Sequence, residues 1–188
     1  RKERGRDVHP SACARRSRLG AAVGSRPPRG TAVNLRTRVA TAIRSQDATA
    51  IDALVAADVR ILRHLVSMTY DTDDRIRSAA ARAIALAAHH YPQQVSELVR
   101  RLVWAMNDES GTNSRTAPEV IRAIASEQPD LLLPMIPDLL RLAADRELRP
   151  LLISAVDTVA QRYPTRVERC LHHEPSDCAV SHDGKEIK

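Results

Sequence analysis

From Leu35 onward the apolar residues fall three and four positions apart, and one such run recurs. Ala80, Ala83, Ile84, Ala87, Ala88 and Pro92 return 37 positions later as Ala117, Val120, Ile121, Ile124, Ala125 and Pro129, and 35 further on as Leu152, Ala155, Val156, Val159, Ala160 and Pro164. Apolar positions at that spacing line one face of an α-helix. Between these runs lies a second stripe, Val59, Leu62, Leu65, Val66 and Met68, matched one period later by Val95, Val99, Leu102 and Val103. Two helices per ~35 to 40 residues is what a stack of helix pairs writes into a chain. The pattern predicts an all-α fold, an α-solenoid of about four pairs.

Start and stop signals refine the elements. Leu35, Val39, Ala42 and Ile43 share a face and predict a helix from Asn34 to about Ser45, and Ile51, Leu54 and Val55 mark a short second one with Asp47 as N-cap. Tyr70 to Asp74 supplies turn and capping chemistry ahead of a helix rich in alanine, with a partner from about Gln93 to Met106. The third pair runs from Pro118, a first-turn proline, to about Glu127, and from Leu131 to Leu142. In the fourth, Leu148-Arg149 repeats Ile76-Arg77, Leu152 to Arg162 forms the first helix, and Val167, Cys170 and Leu171 begin the second. The domain reading is a basic tail over 1–32, a repeat domain over 33–173 and a flexible tail over 174–188.

Composition supports helix-on-helix packing, because Phe is absent and Ala, Leu, Val and Ile carry the apolar content. No apolar run reaches the ~18 residues expected of a membrane span. The net charge of +6 invites a nucleic-acid reading until it is located. Residues 1–32 hold 9 of the 29 Lys+Arg and 2 of the 23 Asp+Glu, which leaves 20 basic against 21 acidic residues for 33–188. A nearly neutral repeat region lacks the basic stripe that neutralises phosphates, so nucleic acid is not the expected partner. The first 32 residues, rich in Arg, Gly, Pro and Ser, are expected to be disordered and to be a possible artefact of the gene start. They lack the apolar stretch of a secretory signal, so a cytoplasmic location is expected. Three cysteines, Cys13, Cys170 and Cys178, do not suggest a disulfide framework.

The run Ile76-Arg77-Ser78-Ala79-Ala80-Ala81-Arg82-Ala83-Ile84-Ala85, preceded by Asp73-Asp74, resembles the HEAT-like repeat named after phycobilisome lyases. Its pattern is Asp, Val-Arg, Ala-Ala, Ala-Leu, and looser copies centre on Ala117 and Leu152. The resemblance spans roughly 45–173 and implies a right-handed superhelix of helix pairs. Leu102 to Gly111, with Ala117-Pro118-Glu119, also resembles a stretch of bacterial HEAT-repeat proteins.

The connection from Asn107 to Thr116 is long for a fold that joins helices with ~2 to 8 residues, and such loops collect binding residues. It follows Trp104, the single Trp. Candidate partner-binding residues are Trp104, Asn107, Asp108, Glu109, Ser110, Gly111 and Arg115: acids for a basic partner, a glycine for an unusual backbone angle, an indole as interface anchor. A second reading of Trp104, as filler of the core between pairs, stays open. Cys170, His172, His173, Cys178 and His182 have enough ligands for zinc but irregular spacing, and no metal or cofactor is expected. Asp71, Asp73 and Asp74 are expected to cap a helix, since a calcium loop needs a Gly and a Glu downstream. His89 and His90 suit a helix C-terminus.

The expected function is a non-catalytic scaffold binding a protein partner. The alternative, implied by the lyase-type repeat, is a lyase or accessory enzyme for a protein-attached tetrapyrrole or similar cofactor; no nucleophile and base stand at paired spacing.

Overall fold

The chain divides into two units, Arg1–Ala32 and Val33–Lys188. The computed structural model describes residues 34–107 and 116–172, all within the second. Those residues form nine α-helices and one 3₁₀ segment, with no strand among them.

Asn34 accepts a hydrogen bond from the Arg36 amide and opens α1 (Leu35–Ser45). The helix ends at Gln46, whose φ of 53° lets its amide reach the Ala42 and Ile43 carbonyls. Asp47 then caps α2 (Ala48–Ala57), Oδ1 accepting from the Ala50 amide at 3.0 Å. A short turn leads to α3 (Ile61–Met68). Asp73 caps α4 (Asp74–His90), accepting from the Arg75 amide at 2.8 Å. The expected cap residues therefore sit where the orphan amides of a first turn need acceptors.

After α4 the chain enters α5 (Pro92–Asn107), then α6 (Ala117–Glu127), a 3₁₀ segment (Pro129–Met135), α7 (Ile136–Leu142), α8 (Arg149–Arg162) and α9 (Pro164–His172). Three of these junctions share one geometry. Tyr91, Gln128 and Tyr163 have φ, ψ of −135°, 57°, −138°, 66° and −136°, 59°. Each donates its amide at 2.8 Å to the carbonyl four residues back, on Ala87, Ile124 and Val159. Each is followed by a proline, which cannot continue the helix yet is at home in the first turn of the next.

Two arginines fold back in matching ways. Arg77 Nη1 donates to the carbonyls of Asp71 and Thr72, and Arg149 donates through Nε and Nη2 to those of Ala143 and Ala144. In both cases the acceptors lie six and five residues upstream, in the turn that precedes the helix. The recurrence of Ile76-Arg77 as Leu148-Arg149 thus marks one device used twice: a guanidinium that ties a turn to the helix it introduces.

The helices pack in two rows. α2, α4, α6 and α8 form the first, each against the next, with the α4–α6 and α6–α8 contacts the most extensive. Beside it, α3 and α5 pack on α4, α5 packs on the 3₁₀ segment and α7, and α7 packs on α9. The row centre explains the alanines of α4. Ala79, Ala80, Ala81, Ala83, Ala85, Ala87 and Ala88 are all buried around Ile84, so α2, α3, α5 and α6 can approach the helix on several sides.

Two expected elements differ. Leu131 to Leu142 is not one helix: Pro134 lies within the 3₁₀ segment and Pro137 in the first turn of α7, because each lacks the amide an α-helix needs at its position. The helix expected from Leu152 starts at Arg149, since Pro150 occupies its first turn without breaking it. No described helix is long and apolar enough to cross a membrane.

Candidate functional site

α5 buries Val95, Val99, Leu102, Val103 and Met106, a stripe at helical spacing facing the first row. Trp104 falls about 100° from Val103 and is 70% exposed. That excludes the reading of Trp104 as filler between pairs: its neighbours in sequence already occupy the core-facing side. The outward face also carries Glu97, whose carboxylate is shared by Arg100 at 3.0 Å and Arg101 at 3.5 Å. Two cations on one anion leave this face with a positive surplus around the indole.

Asn107 ends α5 and joins it to α7. Its Nδ2 donates to the Val103 carbonyl at 2.9 Å, and its Oδ1 accepts from Arg141 Nη1 at 2.8 Å. Arg141 also pairs with Asp138 at 2.7 Å. Trp104 and Asn107 are thus brought to one end of α5, on a helix fixed by its buried stripe. Asp108, Glu109, Ser110, Gly111 and Arg115 lie outside the described residues.

Around α3 the charges are also mainly cationic. Burial pushes the His64 imidazole below its ordinary value, and the nearby positive charges of Arg63 and Arg36 add to the shift. Arg63 Nε donates to His64 Nε2 at 3.2 Å, a contact only the neutral ring accepts. At the turn before α3, Arg60 holds the Asp58 carboxyl below the usual carboxylate range through side-chain and backbone hydrogen bonds.

The remaining candidates have structural roles. Asp73 caps α4, Asp71 accepts from the Asp73 amide at 3.1 Å, and Asp74 pairs with Arg77. His89, near the end of α4, has Nδ1 2.6 Å from Gln128 Nε2 and Nε2 3.6 Å from Glu127, so it bridges two helices. Cys170 is buried in α9 and disulfide-bonded. A bonded sulfur is no thiolate ligand. No group of three or more His, Cys, Asp or Glu among the described residues could hold a metal ion. His173, Cys178 and His182 lie outside them.

A feature the sequence did not announce is a cleft of about 240 Å³ between α4 and α6. Ser78 and Arg82 line it from one helix, Glu119, Arg122, Ser126 and Glu127 from the other, over a floor of Ala81 and Ala123. Ser78 Oγ donates to Glu119 across it. Arg82 and Glu119 stand one period apart, 37 residues, which was the available signal; their chemistry differs, so the periodic apolar pattern did not point to them.

Comparison with protein-family models, with curated proteins and with solved structures found no match to this chain.

Proposed function

We propose that the protein is a non-catalytic scaffold, an α-solenoid of four HEAT-like helix pairs in a right-handed superhelix, that holds a protein partner on the edge carrying Trp104. The observation that carries this reading is the exposure of Trp104, 70%, on a helix whose other large apolar residues face the core. A tryptophan left in water forfeits the gain from burying its large ring, and such residues anchor interfaces. The three matching junctions at Tyr91, Gln128 and Tyr163, and the two matching arginine tethers, support the repeated-pair architecture.

The mechanism is presentation. Helices locked side by side offer a partner a surface whose order was established on folding, which lowers the entropy cost of association. Asp108, Glu109, Ser110, Gly111 and Arg115, which follow α5 in the sequence, belong to the proposed site, and Arg100 and Arg101 favour an acidic rim on the partner.

The test uses the full chain immobilised in native lysate beside Trp104→Ala and Glu109→Ala. A protein retained by the wild type should be recovered less on both variants. Loss of a buried tryptophan anchor corresponds to roughly 30-fold or more in affinity, about 2 kcal/mol. Because Trp104 is the single tryptophan, adding that protein in purified form should shift the chain's emission to the blue. Equal recovery on all three chains, or an unshifted emission on binding, removes Trp104 from the site.

A further inference from the structure

The cleft between α4 and α6 carries two arginines and two glutamates and does not include Trp104, and its charged groups are unequally engaged. Of its carboxylates, Glu119 accepts from Ser78 Oγ, and Glu127 lies 3.6 Å from His89 Nε2. The guanidinium groups of Arg82 and Arg122 make no hydrogen bond or ion pair with any described residue. The cleft therefore holds two cationic forks without an acceptor, while Glu119 already has a donor in Ser78.

Guanidinium forks match carboxylates and phosphates bidentately. Size and charge narrow the choice. At about 240 Å³ the cleft lies below the ~300 to 1,000 Å³ of sites that enclose a small-molecule ligand, and it fits one side chain better than a free metabolite. Glu119 and Glu127 on its wall oppose a second negative charge, which disfavours a phosphate dianion relative to a carboxylate monoanion. The alanine floor lets the occupant approach the helices closely. Both forks stand on α4 and α6, which share the most extensive contact in the fold, so their backbones are fixed before binding.

We propose that this cleft is a docking site for an acidic side chain of a protein partner, its carboxylate held by Arg82 and Arg122. It gives the first helix row a contact of its own, independent of Trp104.

The experiment is a ¹H–¹⁵N NMR titration of the full chain with a capped oligoglutamate peptide, beside capped oligoglutamine and a capped phosphoserine peptide. Arg82→Gln, Arg122→Gln and their combination are compared with Arg162→Gln, an exposed arginine of α8 outside the cleft. Oligoglutamate should move the Nε–Hε signals of Arg82 and Arg122 and the amides of α4 and α6. The double variant should bind about tenfold more weakly, and Arg162→Gln should bind as the wild type does. Equal weakening by Arg162→Gln would show attraction to net charge alone and overturn the site. So would shifts with oligoglutamine, tighter binding of the phosphoserine peptide, or an undisturbed cleft.

Discussion

α5 and the segment from Pro129 to Leu142 begin alike and diverge within two turns. Each follows the same junction, with Pro92 and Pro129 at equivalent places, yet α5 runs unbroken for 16 residues and the other divides into a 3₁₀ segment and α7. The residue that separates them stands five positions after each junction proline: Glu97 in one, Pro134 in the other. The core tolerates the break because burial is preserved. A 3₁₀ turn of three residues keeps Leu133 and Ile136 on one side, and Leu139 follows at the same interval; all three are fully buried. The outward face is what changes. An uninterrupted α5 presents Glu97, Arg100, Arg101 and Trp104 in succession, whereas the broken segment answers with Asp138 and Arg141, both engaged with each other.

The largest effect comes from making the first region resemble the second. Glu97→Pro removes an amide from the interior of α5 and should cost about 3 kcal/mol or more. Urea unfolding followed by circular dichroism measures it; a loss below 1 kcal/mol would mean that α5 owes its continuity to tertiary packing and not to its sequence.

Arg149 holds the turn at the end of the short α7 as Arg77 holds the turn before α4. Replacing either by alanine leaves two carbonyls without their donors, an expected loss of about 1 to 2 kcal/mol each. Amide hydrogen exchange sharpens the contrast: Arg149→Ala should speed exchange in α7, and Arg77→Ala should leave α7 unchanged. Faster exchange in α7 with both variants would make the two turns one cooperative unit.

These regions also separate what the sequence reveals from what it hides. Caps and first-turn prolines act through their own neighbours, so Asp47, Asp73 and Pro118 could be placed from local chemistry. The direction of Trp104 was equally available, because Val95, Val99, Leu102, Val103 and Met106 already define the buried side. The 3₁₀ segment was hidden because Leu131 to Leu142 satisfies an apolar pattern in either helix type, and only the backbone cost of Pro134 decides. Arg77 and Arg149 could be matched as a repeat, but their bonds to carbonyls five and six residues back depend on how the turn closes. The α4–α6 cleft joins residues about 40 apart through packing alone.

Converting the second region toward the first is a smaller change. Pro134→Ala restores an amide where the chain is already accommodated, so helicity should rise over 130–142 while stability moves by less than about 1 kcal/mol, the buried leucines keeping their places. A large loss of stability would show that the 3₁₀ geometry is required for packing against α5.

The smallest effect concerns α3, which lies in the same row as α5 and α7. His64, Arg101 and Asp138 stand 37 residues apart in succession, one position in three helices with three different charges. Burial and the charges of Arg63 and Arg36 depress the His64 pKa below 6.5 in the folded chain. The unfolded chain then binds the proton more readily, so stability rises with pH through the interval below 6.5 and levels off above it. His64→Gln should flatten that rise without altering stability at pH 8. If the wild type and the variant lose stability in parallel on acidification, the titrating group lies elsewhere, and α3 differs from α5 and α7 in charge without that difference being coupled to folding.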